Sequence, residues 1–146
     1  MGGDHEVLRD GPVRLEALEG GAIWKAVLNT PKANILDMEK CALLSAIFAE
    51  AGATAGVKAV IITAQGPHFS FGASVQEHLP DQIEAMLHGF HGLFRAMLDA
   101  RVVTLAAVRG QCLGGAMELA IFCNRIFASP DARLGQPEIV LGVIAP

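Results

Sequence analysis

Two short apolar runs constrain what this chain can fold into more than any other feature of the sequence. Residues 57–63 (VKAVIIT) and 102–108 (VVTLAAV) consist mainly of β-branched and aliphatic side chains, with Lys58 the single charged residue in either run. Runs of this kind are typical of buried strands in parallel sheets that helices cover. Each leads into a glycine-containing loop and then a helical pattern, so we expect an α/β fold with right-handed crossovers.

The segments before and between these runs complete the alternation of strands and helices. Side chains alternate in character along residues 13–18 and 21–28, and a glycine-rich turn at Glu19-Gly20-Gly21 separates the two segments. This pattern predicts a β-hairpin. Asp37 is expected to cap a helix that extends through residue 51. Residues 64–80 are predicted to form a loop.

The clearest helical pattern begins at Asp81, where Asp81 and Glu84 resemble a capping box. Its apolar stripe consists of Ile83, Met86, Leu87, Phe90, Phe94, Met97 and Leu98. Gly114-Gly115 precedes a shorter apolar helix, and residues 125–129 predict a third strand.

Charge and cysteine content exclude several classes of protein. Eleven basic and fifteen acidic residues give a net charge of −4, with no basic cluster that would suit nucleic acid. Three cysteines, without CxxC or HExxH spacing, favour reduced thiols in the cytoplasm over a disulfide framework or a metal site. Arg109, Gln111 and Glu118 interrupt the apolar stretch 102–123, so we expect no membrane partner.

Two glycine sites follow the predicted strands, where α/β proteins place their ligands. Gly72 lies in Phe71-Gly72-Ala73-Ser74, and Gly114-Gly115 lies at a helix start. Free N–H groups at a helix N-terminus attract negative charge, and two that face one point would form an oxyanion hole. Judged by spacing alone, the alternative that both glycine sites only form turns stays open.

Two carboxylates are surrounded by apolar residues in the sequence, and burial of a carboxylate is costly unless it is paired or hydrogen-bonded. Glu118 lies one turn into GGAMELAIFC, and Glu138 lies in GQPEIVLG. A pair in one pocket could act as acid and base, since mutual repulsion separates their protonation states. The alternative is that each points to solvent or meets an arginine; the candidates are Arg101, Arg109 and Arg125.

Other polar residues are weaker candidates. His88 and His91 lie three residues apart on the second helix without an evident third metal ligand, so we expect both to face solvent. Cys112 is expected to be a small packing residue. Ser70 and Ser74 lack the GxSxG context of a nucleophile.

Several motifs resemble those of one known family. The segment GQCLGGAMELAIFCNRIFASPDARLGQPEIVLGV resembles the central signature of the enoyl-CoA hydratase/isomerase (crotonase) superfamily. PHFSFGASVQEHL is similar to its first oxyanion-hole loop, and VLNTPKANILD to its first CoA-contacting loop. The resemblance implies a ClpP/crotonase-type spiral of β-β-α units, an acyl-CoA substrate and no separate cofactor.

Carried over position by position, the resemblance implies specific roles. Ala73 and Gly115 would supply the two oxyanion N–H groups, and Glu118 and Glu138 would be the catalytic carboxylates. The remaining substrate-binding positions would be Lys32 and Ala33 near the nucleotide or pantetheine, and Phe71, Ser74, Val75, Gln76 and Gly114 near the thioester.

Two positions depart from the family pattern. The usual Ala-Gly-Ala-Asp is here Phe71-Gly72-Ala73-Ser74, so the acid is missing and a bulky ring precedes the glycine. Ala116 stands where a third glycine is common. HFSFGASVQEHLP with GQCLGG is most similar to members that hydrate cyclic dienoyl-CoA thioesters, and Phe71 would pack on a flat acyl group or in the core.

The resemblance also carries expectations about length and activity. Residues 1–146 would form the N-terminal spiral core of a longer fold, without the C-terminal helical region that closes the acyl pocket and builds trimers or hexamers in the family. The apolar segment 139–146 predicts association. Two glutamates favour a hydratase; the alternatives are an isomerase of the same family, or a non-catalytic protein that binds CoA esters and assembles with other subunits.

Overall fold

The two apolar runs form neighbouring parallel strands inside one six-stranded sheet. The computed structural model describes residues 4–142, apart from the side chain of Leu141. Its strands are β1 (His5–Arg9), β2 (Val13–Leu18), β3 (Ile23–Leu28), β4 (Ala59–Ala64), β5 (Val103–Val108), β6 (Gln111–Leu113), β7 (Arg125–Ala128) and β8 (Arg133–Gly135). Its α-helices are α1 (Met38–Ala53), α2 (Ile83–Ala100) and α3 (Gly115–Phe122).

The large sheet has the order β1-β2-β3-β4-β5-β7, and β6 and β8 form a separate parallel pair. β1, β2 and β3 are antiparallel, whereas β3, β4, β5 and β7 are parallel. The hairpin and the α/β arrangement are therefore confirmed. β1, β6 and β8 were not predicted, because β1 is mostly exposed and the other two, at three residues each, are too short to show periodicity.

Burial of β4 and β5 is one-sided. Val60, Ile62 and Ala64 are buried, and the intervening residues of β4 are only partly buried. In β5, Ala106 and Val108 are buried and Val103 is exposed. The predicted buried strands are thus fully buried on one face only, within the part of the chain that the structure describes.

The first two helices differ in how well the sequence predicted their starts. Asp37 caps α1, since its carboxylate accepts the Lys40 N–H at 2.9 Å. The capping box at Asp81 is wrong: α2 begins at Ile83, after Gln82, and no side chain caps it. The Leu79 carbonyl accepts the N–H groups of both Gln82 and Ile83, each at 2.9 Å, and so takes the place of a side-chain cap.

The apolar stripe of α2 is also corrected at its ends. Leu98 is exposed and Ile83 lies at the surface, whereas Leu93, which the prediction omitted, is fully buried. None of the helices within residues 4–142 has the length and apolar character needed to span a membrane.

A buried carboxylate ties the three antiparallel strands together. Glu16 on β2 is 2% exposed and accepts hydrogen bonds from Arg14 at 2.7 Å, from His5 at 3.0 Å and from Lys25. Burial acts to raise the pKa of Glu16, but the bonds from Lys25, His5 and Arg14 outweigh it and bring the pKa to about 2.

We expect Glu16→Gln to lower the free energy of unfolding at pH 7 by about 2–3 kcal/mol. The folded-state pKa lies below that of the unfolded chain, so this stability is present above about pH 4.5 and is lost as the pH falls toward about 2. Urea unfolding of both proteins at several pH values checks this. Glu50→Gln, which removes an exposed pair with Arg9, should cost less than about 1 kcal/mol; equal effects of the two variants would contradict the prediction.

Candidate active site

The loop after β4 is held between the loop that precedes α1 and the small sheet. The Ser70 N–H donates to the Gln111 carbonyl at 3.0 Å, and the Leu113 N–H donates to the Ser70 carbonyl at 3.1 Å. On the other side, the Phe71 N–H donates to the Ala33 carbonyl at 3.0 Å. This loop therefore runs as a short extended segment between two backbone partners.

The conformation of Gly72 aims the next N–H group. Gly72 has a φ of 99°, and a Cβ there would lie 2.6 Å from the Leu113 carbonyl oxygen. Its N–H donates to the Ser70 hydroxyl at 3.0 Å, and its carbonyl accepts the Leu36 N–H at 2.9 Å. Because C=O and N–H point in opposite directions across a trans peptide, the Ala73 N–H points away from Leu36.

A second N–H group is aimed in the same manner at the start of α3. The Gly114 carbonyl accepts the Glu118 N–H at 3.0 Å, so the Gly115 N–H points outward from the helix N-terminus. A Cβ built on Gly115 would lie 3.5 Å from the Ala73 Cβ. Neither N–H has an acceptor among residues 4–142, so two neighbouring residues each present a free donor.

The two glutamates flank this pair of donors. Glu118 projects from the first turn of α3, and its Oε2 is buried without a hydrogen-bond partner in the part of the chain that the structure covers. The Glu138 Oε1 lies so close to Gly114 that a Cβ there would collide with it. Burial, and then the charge of Glu138, raises the pKa of Glu118.

The alternative that the glutamates serve as ordinary surface or ion-pair residues does not fit these contacts. Within residues 4–142, no salt bridge joins Glu118 or Glu138 to any of Arg101, Arg109 and Arg125. Arg109 instead donates to the carbonyls of Ala64 and Gly66. Both glutamates are half-buried.

Gln136 is a polar residue of this site that sequence reasoning missed. With its amide nitrogen facing Glu138, that nitrogen donates to the two carboxylate oxygens at 3.0 and 3.3 Å. A hydrogen bond from Gln136 also lowers the pKa of Glu118, against the larger effect of burial. Its amide therefore bonds to Glu138 and lies close enough to Glu118 to affect its pKa, and only its spacing of two residues from Glu138 hinted at this in the sequence.

These contacts predict opposite titration shifts for two variants. Gln136→Ala should raise the pKa of Glu118, because it removes a hydrogen bond to the charged form. Glu138→Gln should lower the pKa of Glu118, because it removes a neighbouring negative charge. Carboxyl carbon chemical shifts followed by NMR against pH measure both, and shifts of the same sign would contradict this geometry.

The other predicted substrate-binding residues lie on the loop after β4 or on the loop between β3 and α1. Phe71 is 41% exposed, and its ring meets the His68 ring edge-on at 5.1 Å between centroids. Phe71 is therefore not a core residue. The rest are exposed or half-buried: Lys32, Ala33, Ser74, Val75 and Gln76.

The weaker candidates fall outside the site. His88 and His91 are exposed, and no group of three or more potential metal ligands occurs among the residues that the structure describes. Cys112 is fully buried, and burial raises its pKa to about 12, as suits a packing residue. Cys41 and Cys123 are also free and buried.

Comparison with known proteins decides the family. The enoyl-CoA hydratase/isomerase family model matches residues 19–146. The chain belongs to the enoyl-CoA hydratase/isomerase family. It is 49% identical over 135 residues to the cyclohexa-1,5-dienecarbonyl-CoA hydratase of Thauera aromatica, a match that covers 92% of this chain and 52% of the relative. The chain thus spans about half the length of this relative.

Solved structures agree on the crotonase-like fold. An enoyl-CoA hydratase/carnithine racemase from Magnetospirillum magneticum superposes with a TM-score of 0.87 at 23% identity, over 94% of this chain and 54% of the other. An enoyl-CoA hydratase/isomerase from Xanthobacter autotrophicus Py2 superposes with a TM-score of 0.82 at 33% identity, over 92% of this chain and 52% of the other. The α/β crotonase-like fold class implied by the resemblance is therefore confirmed.

Proposed function

We propose that this chain carries the site of a hydratase that adds water to an α,β-unsaturated CoA thioester. One observation supports this most strongly: Glu118, whose Oε2 is buried and has no partner among residues 4–142, feels the charge of Glu138 and lies in the first turn of the helix that begins with the free Gly115 N–H. Addition of water involves no net oxidation, so the reaction balances without a redox cofactor, and CoA enters as part of the substrate.

The two N–H groups would bind the thioester oxygen. As the oxygen of water attacks the β-carbon, negative charge moves onto the thioester oxygen and an enolate forms. Donors already aimed at that point, from Ala73 and Gly115, stabilise the charge without reorganisation. Loss of one such donor typically costs about 10²–10³ in rate.

The two glutamates would move the protons. Because Glu138 disfavours ionisation of Glu118, the pair favours a state with one carboxylate and one carboxylic acid. The carboxylate takes a proton from the attacking water, and the acid gives a proton to the α-carbon. The pair is thereby returned to the same total charge, with the Gln136 amide hydrogen-bonded to Glu138.

The substrate we propose is a cyclic dienoyl-CoA, such as cyclohexa-1,5-diene-1-carbonyl-CoA. The Thauera relative is named for that activity and is 49% identical over the matched region. We call the loop after β4, which carries the Ala73 N–H, the donor loop. The exposed Phe71 ring lies on this loop and offers a flat surface to a planar ring of the substrate.

A hydration assay tests this function. Loss of enoyl absorbance is followed with the cyclic dienoyl-CoA and with crotonyl-CoA in ¹⁸O-labelled water, and the product is analysed by mass. We expect labelled product, with kcat/KM higher for the cyclic substrate, and Phe71→Ala should reduce that preference. Unlabelled product with a moved double bond would indicate an isomerase, and binding without turnover would indicate a non-catalytic CoA-ester-binding protein.

We further propose that the chain acts in the cytoplasm as a homo-oligomer. Phe127, Ile139 and Val140 are 62%, 83% and 84% exposed, and apolar surface of this kind favours association. Residues 143–146, the end of the predicted association segment, lie outside the described residues. Light scattering measures the assembly state, and a stable monomer would contradict this part of the proposal.

A further inference from the structure

The donor loop is held more firmly before Ala73 than after it. Before Ala73, it is fixed by the bonds of Phe71 to Ala33 and of Leu36 to Gly72, at 3.0 and 2.9 Å. After Ala73, the backbone bond to the segment before α1 runs from the Ser74 N–H to the Leu36 carbonyl, and it is longer, at 3.4 Å. The second half of the loop therefore depends more on side-chain contacts.

Glu77 supplies such a contact. Its Oε2 and Oε1 lie 3.0 and 3.3 Å from the Met38 nitrogen, which donates the first N–H of α1. This N–H has no partner within a helix, and the N-terminus favours a negative charge. Asp37 caps a different group, the Lys40 N–H, and pairs with the Lys40 ammonium at 2.8 Å. The contact of Glu77 is thus not duplicated by Asp37.

Hydrogen bonds within the segment that follows Ala73 link it to the region of Glu77. A contact that fixes Glu77 therefore also restrains the Ala73 N–H. The His78 ring nitrogen Nδ1 lies 2.6 Å from the Ser74 carbonyl oxygen, and the His78 N–H donates to the Val75 carbonyl at 3.2 Å. The neighbouring Val75, Gln76 and Leu79 are exposed and add little packing.

We propose that Glu77 is a positioning residue, which clamps the donor loop to the N-terminus of α1 and so keeps the Ala73 N–H aimed at the thioester oxygen. This inference rests on the proposed function for the role of Ala73. The clamp itself, between Glu77 and the N-terminus of α1, is independent of the proposed function. Glu77 touches neither substrate nor reacting atoms in the proposed mechanism.

The first measurement is hydrogen–deuterium exchange of the substrate-free protein, which needs no activity. Glu77→Ala should raise exchange over residues 73–78 by about 3- to 30-fold, the range for a lost helix cap, and Glu77→Gln, which keeps an acceptor, should raise it less. Glu84→Gln is the matched control, because Glu84 is exposed on α2 and lies 3.9 Å from His88. Exchange in the Glu77 variants equal to that control would overturn the clamp.

The second measurement reports on the donor. Acetoacetyl-CoA is bound and the fraction held as its enolate is read from the ultraviolet absorbance, with kcat and KM for hydration measured in parallel. Glu77→Ala should reduce the enolate fraction and lower kcat by about tenfold, with a smaller change in KM. Faster exchange with an unchanged enolate fraction would confine Glu77 to a structural role and overturn the proposal. A wild-type chain that stabilises no enolate would instead refute the proposed function.

Discussion

Replacement of either Glu118 or Glu138 by glutamine is expected to lower kcat for hydration by about 10²–10⁴, since each change removes one proton transfer. Glutamine keeps the size and the hydrogen-bonding oxygen of each side chain but cannot ionise. The two variants together should be little worse than either alone, because the two carboxyl groups carry out the two proton transfers of one reaction as a unit. Initial rates with the cyclic dienoyl-CoA measure this.

Two controls separate chemistry from folding. Binding of a saturated acyl-CoA, measured by calorimetry, should stay within about threefold of wild type in both variants, because the donors at Ala73 and Gly115 remain. Glu84→Gln removes the same charge from an exposed site and should leave the rate unchanged. Full activity in both Glu118→Gln and Glu138→Gln would rule out the two-carboxylate mechanism.

Gly72→Ala is expected to have the second largest effect, because it combines two penalties. A φ of 99° is strained for any residue with a Cβ, and that Cβ would lie 2.6 Å from the backbone oxygen of Leu113. We expect a loss of about 2–4 kcal/mol in unfolding free energy. Displacement of the Ala73 N–H should also lower kcat by about 10²–10³.

Gly56→Ala is the matched control for this variant. Gly56 has a φ of 94°, but an added methyl group would meet nothing within 4 Å, so it isolates the backbone strain, at about 1–2 kcal/mol. Urea unfolding and kinetics on both variants check the difference. A Gly72→Ala protein as stable and as active as Gly56→Ala would show that the close approach of Gly72 to Leu113 has no importance.

Local chemistry explains which elements could be predicted. Asp37 caps α1 as expected, and the turn at Gly20-Gly21 joins the predicted hairpin, because each depends on neighbours within a few residues. The failed capping box at Asp81 shows the limit of such reasoning. There the Leu79 carbonyl satisfies the N–H groups that a side chain was expected to meet.

The sequence by itself determined the strand–helix alternation, the family and the types of residue available for chemistry, since periodicity and motif are properties of nearby positions. Only the tertiary structure decided which of those residues meet. It brings Ala73 beside Gly115, places Gln136 and Glu138 close to Glu118, and joins Glu77 to an N–H 39 residues earlier. Such contacts depend on how parallel strands and their loops align in space, and no spacing along the chain encodes that alignment.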